Sequence, residues 1–252
     1  MLLNLHIIGV QKAGTTALAS FLHQHPSIYV VAGKEAHVFD HPLYSEQSDK
    51  IAFANTIYKS KLKNYQDQPI VCDATPITVF RLEFMQACQL YNPNARFILI
   101  LRDPVERAIS HYRMSRSRGQ EKRSMLVAFL MEPFRLNGMN RSNSWSFDSS
   151  FRNHSYLSRG LYSKQLRKVY NTVPKKQLLV LRQEELQHHH RQVMVKIFDF
   201  LDITSHNITP SQIFASQKVT AYRSDILAKL YAQLYFFIHK ETPKQWDKVI
   251  NS

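Results

Sequence analysis

The chain has 252 residues, a formal charge of +14 and two cysteines, Cys72 and Cys88. That length buries a sizeable core unaided, and two cysteines are too few for a disulfide framework or a zinc site. The charge implies polyanionic company (nucleotide phosphates, acidic polysaccharide, nucleic acid or an anionic membrane face), and no apolar run reaches the length that spans a membrane.

The chain enters its first strand at once, at Leu5 to Gly9, so neither a leader peptide nor an anchor is expected, and the expected setting is cytoplasmic. A loop with Gly9, Lys12 and Gly14 follows. Thr15 and Thr16 then open a segment with apolar residues at Ala17, Leu18, Phe21 and Leu22, which is helical spacing. Strand, glycine loop and helix N-terminus together make an anion site. The first-turn N–H groups lack partners in the helix, the dipole is positive there, and glycine lets the backbone approach a ligand. Lys12 adds a full charge and the Thr hydroxyls add donors, so the loop reads as a phosphate cradle. It departs from the nucleotide-triphosphate loop, in which Lys directly follows the second Gly. Here Lys12 precedes Gly14, so its ammonium would lie near a group leaving the terminal phosphate.

Ile28 to Val31 reads as a second strand, followed by the polar loop Gly33 to Asp40. Asp49 to Tyr65 is predicted as a surface helix with Ile51, Ala54, Ile57 and Tyr58 on one side. Pro69 to Asp73 is a short strand that ends in Ala74-Thr75-Pro76. Ile77 to Tyr91 has helical spacing, and Asn92-Pro93-Asn94 stops it. Arg96 to Leu101 is the clearest central strand, and Asp103-Pro104 starts a helix through about Ser117, with Asp as N-cap. Ser124 to Phe134 is predicted helical. The aromatic, Asn/Ser/Arg-rich stretch from Asn137 to Asn153 is expected to be a binding loop or lid. Tyr156 to Tyr170 is an amphipathic helix, Gln177 to Leu181 a parallel-type strand, and Arg191 to Leu201 and Arg223 to His239 further helices. His188-His189-His190 is expected to be a solvated face. The alternation predicts one α/β domain over residues 1–252, with a core of 5–203, a helical C-terminal segment of 204–252, and a mostly parallel sheet flanked by helices on both faces.

A second anchor follows the central strand, in LRDPVERAISHY at Leu101 to Tyr112. Arg102 sits at the carboxyl end of a strand, where open α/β sheets bind ligands, and Ser110 lies two helical turns on. A guanidinium and a hydroxyl suit a second phosphate, although an Arg capping a strand and a Ser on a helix face would read the same. Taken together, GVQKAGTTAL and LRDPVERAISHY resemble the sulfotransferases that use 3′-phosphoadenosine 5′-phosphosulfate (PAPS). The resemblance is strongest to the carbohydrate branch, the heparan sulfate N- and 3-O-sulfotransferases and their bacterial relatives. It includes HPSI at His25, GKEAHVFD at Gly33, the turn Ala74-Thr75-Pro76 and RGLYSKQLRKVY at Arg159, and it extends more weakly through LLVLRQEELQ and IFDFLDI.

The resemblance implies a P-loop-like domain that binds PAPS, releases 3′-phosphoadenosine 5′-phosphate (PAP), needs no metal, and sulfates a hydroxyl or amino group of a carbohydrate or glycolipid. It assigns Gln11, Lys12, Ala13, Gly14, Thr15 and Thr16 to the 5′-phosphosulfate, with Lys12 on the sulfonate and bridging oxygen. Arg102 and Ser110 go to the 3′-phosphate, Tyr162 lies near the nucleotide, and Lys218 belongs to a reduced nucleotide loop. Glu35 is the implied general base, with His37 as the alternative and Asp40 beside them. The chain departs from the heparan pattern at Ala74, where those enzymes often carry a reaction-centre lysine. It also departs at the C-terminus, which lacks their cysteine-bridged loop. Two other classes stay open. A phosphate-loop kinase would need the missing Lys after the second Gly, with Asp73 for Mg²⁺. A non-enzymatic polyanion binder would use Arg116, Arg118, Lys122, Arg123, Arg135, Arg141 and Arg152, but no nucleic-acid fold signature accompanies them. Positive charge also leaves contact with a membrane face open.

Overall fold

A computed structural model describes residues 3–137, 146–210 and 223–251. They fall into two compact units. The first, residues 3–102 and 168–210, holds a five-stranded sheet. Its strands are β1 (Leu5–Gly9), β2 (Ile28–Val30), β3 (Ile70–Asp73), β4 (Arg96–Leu101) and β5 (Leu178–Arg182). The order is β2-β3-β1-β4-β5, and every pairing is parallel. β1 and β4 are buried along almost their whole length, which is why they read as unbroken apolar runs. The helices of this unit are α1 (Thr15–Leu22), α2 (Lys50–Lys61) and α3 (Leu82–Tyr91), with α8 (Gln183–His188) and α9 (His190–Leu201) following β5.

The second unit, residues 103–137, 146–167 and 223–251, is helical. It contains α4 (Pro104–Ser117), α5 (Met125–Leu136), the short α6 (Ser150–Asn153), the start of α7 (Tyr162–Tyr170), α10 (Arg223–Ile238) and α11 (Pro243–Asn251). Its core gathers Ala108, Tyr112, Phe129, Tyr156, Ala228, Ala232 and Phe236. Asp103 caps α4 through a bond from the Glu106 N–H at 2.8 Å, and Pro104 takes the first helical position.

Several expectations need correction. Ile51 does not join the buried side of α2 but is 53% exposed, while Ala54 and Tyr58 carry that face. The helix expected from Ile77 starts as a 3₁₀ turn, Thr78–Phe80, and breaks at the extended Arg81. The Thr78 hydroxyl bonds back to the Thr75 carbonyl at 2.7 Å, which holds the turn tight. Tyr156 to Tyr170 is likewise divided, with a 3₁₀ turn at Ser158–Gly160 before α7. His190 leaves the solvated histidine face and packs edge-on against Phe21, their rings 4.6 Å apart. Among the described residues no helix is long and apolar enough to cross a membrane.

Candidate active site

Strand order places one topological switch point. The chain leaves β1 toward β2 on one side and leaves β4 toward β5 on the other, and β1 and β4 are neighbours. Ligands of open α/β sheets bind outside the carboxyl ends of such a pair. The loop after β1 and the residue after β4 meet there, because Arg102 Nη1 donates to the Lys12 carbonyl at 2.9 Å. Arg102 therefore holds the glycine loop, a part that sequence reasoning did not give it.

Two glycines shape that loop. A Cβ on Gly9 would lie 2.5 Å from Val79 Cγ1 and 3.1 Å from the Pro76 carbonyl, so the close approach of loop and turn requires glycine. Gly14 is the N-cap of α1 at φ 99, a left-handed conformation that excludes most other residues. Its lack of a side chain leaves α1 without a side-chain cap, and no acid lies in the first turn. Helix-terminal N–H groups and dipole thus act unopposed by a protein carboxylate in that turn. Lys12 is itself left-handed at φ 74 and half-buried, Thr15 is buried, and Thr16 is exposed. An anionic ester fits this donor set.

The loop from Gly33 to Asp40 is held from β3. Asp73 is buried, and three donors converge on its carboxylate: the Ala36 N–H at 3.1 Å, the Thr75 hydroxyl at 2.6 Å and the Tyr58 hydroxyl at 3.1 Å. Burial pushes the Asp73 carboxyl up to about 6 despite those donors. The Ala74 N–H bonds the Lys34 carbonyl at 2.8 Å, and the Thr75 hydroxyl also accepts from the His37 N–H at 3.3 Å. So clamped, the loop keeps Lys34 and His37 at φ 59 and 53, conformations that cost non-glycine residues about 1 kcal/mol or more.

The clamp holds a row of four charged groups. His37 Nε2 lies 3.1 Å from Glu35, its Nδ1 lies 2.8 Å from the buried Asp40, and the Lys34 ammonium pairs with Glu35. Burial alone would raise the Glu35 carboxyl, but the His37 bond and the Lys34 charge outweigh it and hold the group below its ordinary value. Burial opposes protonation of His37, yet its two carboxylate partners raise it from 6.5 to about 9. At neutral pH Glu35 is therefore an ionised acceptor and His37 an imidazolium that orients it.

Of the remaining sequence candidates, Gln11 is half-buried and Ala13 buried in the loop, while Ser110 is half-buried on α4 in the second unit. Tyr162 is wholly buried there, edge-on to Trp246 at 5.1 Å. Lys218 and Arg141 lie outside the described residues, as do residues 138–145 of the expected lid. Sequence reasoning missed Tyr58 and Thr75 as parts of the clamp, and it offered Asp73 only as a metal carboxylate. The available signal was an Asp-x-Thr-Pro turn at the carboxyl end of a strand. Among the described residues no group of three or more His, Cys, Asp or Glu could hold a metal ion. Several basic residues of the polyanion-binding reading are occupied internally. Arg135 pairs with the buried Glu121, Arg116 bonds the Glu121 carbonyl at 3.2 Å, and Arg152 sits over the Phe147 ring at 4.4 Å.

Residues 4–250 match the sulfotransferase domain family. The chain belongs to that family. Heparan sulfate glucosamine 3-O-sulfotransferase 3B1 of Mus musculus is 31% identical over 197 residues, covering 78% of this chain and 45% of that protein. The Homo sapiens 3B1 protein is 30% identical over 198 residues, again 78% and 45% of the two chains. The chain thus spans less than half the length of these relatives. A sulfotransferase from Alicyclobacillus acidocaldarius shares the fold, with a TM-score of 0.75 and 22% identity over 100% of this chain and 96% of that one.

Proposed function

We propose that this domain transfers the sulfuryl group of PAPS to a hydroxyl or amino group of a carbohydrate acceptor, free or on a lipid. The observation that carries the reading is the uncapped, acid-free start of α1 behind Lys12. Its donors suit the 5′-phosphosulfate, and Lys12 with the Thr15 and Thr16 groups offsets the charge that grows on the bridging oxygen. Arg102 and Ser110 are assigned the 3′-phosphate on the strength of their motif, and Tyr162 and Lys218 the nucleotide's surroundings on resemblance alone. Glu35, ionised and oriented by His37, accepts the acceptor's proton as the new bond to sulfur forms. His37 is the poorer base, because it already carries its proton at neutral pH. Relatives named for glucosamine 3-O-sulfation favour a sugar hydroxyl over nitrogen.

The test is incubation with labelled PAPS and a panel of glycans, glycolipids and small phenols. Label should move to a glycan. Lys12→Ala should lower turnover by about 10²-fold or more without unfolding the protein. Glu35→Gln should abolish transfer and keep PAP affinity. Normal transfer by Lys12→Ala would remove the loop from the mechanism, and loss of PAP binding by Glu35→Gln would make that residue structural.

A further inference from the structure

We infer that Lys34 is a second catalytic cation of this domain, bringing from the loop after β2 the positive charge that the turn at Ala74 lacks. The inference rests on the donor reading proposed above. Residues 34 and 74 are neighbours in space, since the Ala74 N–H donates to the Lys34 carbonyl at 2.8 Å. The loop after β2 and the turn after β3 are therefore in direct backbone contact. Ala74 is wholly buried and offers only a methyl group.

The backbone of Lys34 is fixed on both sides. Its N–H bonds the Val31 carbonyl at 2.8 Å, and φ stands at 59. A long side chain in that conformation is strained, and strain of this kind persists where the surroundings over-determine it. The ammonium pairs with Glu35, and the side chain is only 23% exposed. Lys34 also walls a cavity of about 750 Å³, shared with Thr16 and Ser20 of α1, with Gly33 and with Lys63. Thr16 belongs to the first turn of α1, the end proposed to face the phosphosulfate. The cavity reaches that turn at Thr16 and runs from there along α1 and β2 to residues 63–68; the contact that ties Lys34 to the reaction is its ion pair with the proposed base, Glu35.

In the reaction, Lys34 turns from the Glu35 carboxylate to the sulfuryl oxygens. The acceptor oxygen bonds to sulfur, and the bond from sulfur to the 5′-phosphate oxygen breaks. The electron pair stays with the phosphate, and the acceptor's proton passes to Glu35. Lys34 stabilises charge on the transferring group while Lys12 stabilises it on the leaving group, so the two lysines divide the work.

Two variants separate charge from structure. Lys34→Gln keeps a polar side chain, one atom shorter, and the same backbone strain but removes the charge, whereas Lys34→Arg keeps the charge. Steady-state transfer from labelled PAPS to an accepted glycan is measured beside calorimetric titration with PAP. Lys34→Gln should lower kcat about tenfold or more with PAP affinity within about twofold of the parent, and Lys34→Arg should keep about a third of kcat or more. The acid limb of kcat/KM should move up by about half a unit or more in Lys34→Gln, because Glu35 loses a cation. An unchanged kcat in Lys34→Gln overturns the role. So does a matching loss of PAP affinity, which would place Lys34 among the donor-holding groups. Failure of the underlying reading looks different: the parent protein would bind no PAP and label no acceptor, and the role of Lys34 would fall with it.

Discussion

His37 stands between two carboxylates, 3.1 Å from Glu35 and 2.8 Å from Asp40, and each favours its protonated form. Its value of about 9 in the fold lies above the ordinary 6.5. The contribution to stability is therefore complete below about 6.5 and is lost as pH rises through about 9. A thermal melt series from pH 6 to pH 10 should show the parent losing stability across that window, and His37→Gln should be flatter there. The parent's kcat/KM should also fall above about pH 9, as the imidazolium that orients Glu35 disappears. A parent profile identical to that of His37→Gln would disconnect the residue from Glu35. Asp73 works at the same scale but through position. Its carboxylate accepts from Ala36, Thr75 and Tyr58, so Asp73→Ala strands three polar groups in a buried site. The cost should be about 2–4 kcal/mol in urea unfolding, with turnover lost because the acidic loop is released. Asp73→Asn should cost less, since its remaining oxygen serves two donors and the Tyr58 hydroxyl can turn to accept.

The loop after β1 was legible because everything it needs is local: an apolar strand, two glycines, a lysine and a helix start within a dozen residues. The central strand was legible too, at Arg96–Leu101, because a strand buried on both faces is apolar throughout. The clamp was not legible, because it joins Asp73 to Ala36 across 37 residues and depends on how β3 lies in the sheet. The same holds for Arg102, whose bond to the Lys12 carbonyl spans 90 residues. Periodicity also misplaced Ile51, since a helix on a surface tolerates an apolar residue in water. The fit of the glycine loop against the Thr78–Phe80 turn can be measured directly. Gly9→Ala would drive a methyl group to 2.5 Å from Val79 Cγ1. It should cost about 2–3 kcal/mol in urea unfolding and weaken PAP binding. Val79→Ala removes the closest atom, so the double variant should lose less than the sum of the two single losses. Strict additivity would mean that the contact with Val79 does not govern the loop.

The chain carries 33 Lys and Arg against 19 Asp and Glu, but several of those cations have structural partners. Arg107 is wholly buried and donates to the Tyr156 carbonyl, Arg159 is buried against the Ser155 hydroxyl and the Phe151 carbonyl, and Arg96 pairs with Asp202. Net charge is therefore a poor map of where an acidic acceptor would be drawn. Arg118, Lys122 and Arg123 are different, because all three are exposed. If the acceptor is an acidic glycan, their field raises its local concentration, and that effect works through solvent and is screened by salt. Changing all three to Gln should raise KM for an acidic glycan by about three- to tenfold at low ionic strength, with kcat little altered. The difference from the parent should shrink as salt is raised, because the screening length falls from about 10 Å at 0.1 M to about 3 Å at 1 M. KM for an uncharged glycan should not respond, which separates steering from damage to the fold. Equal losses for charged and uncharged acceptors, at every salt concentration, would show that these residues touch the acceptor or support the site instead of attracting its charge.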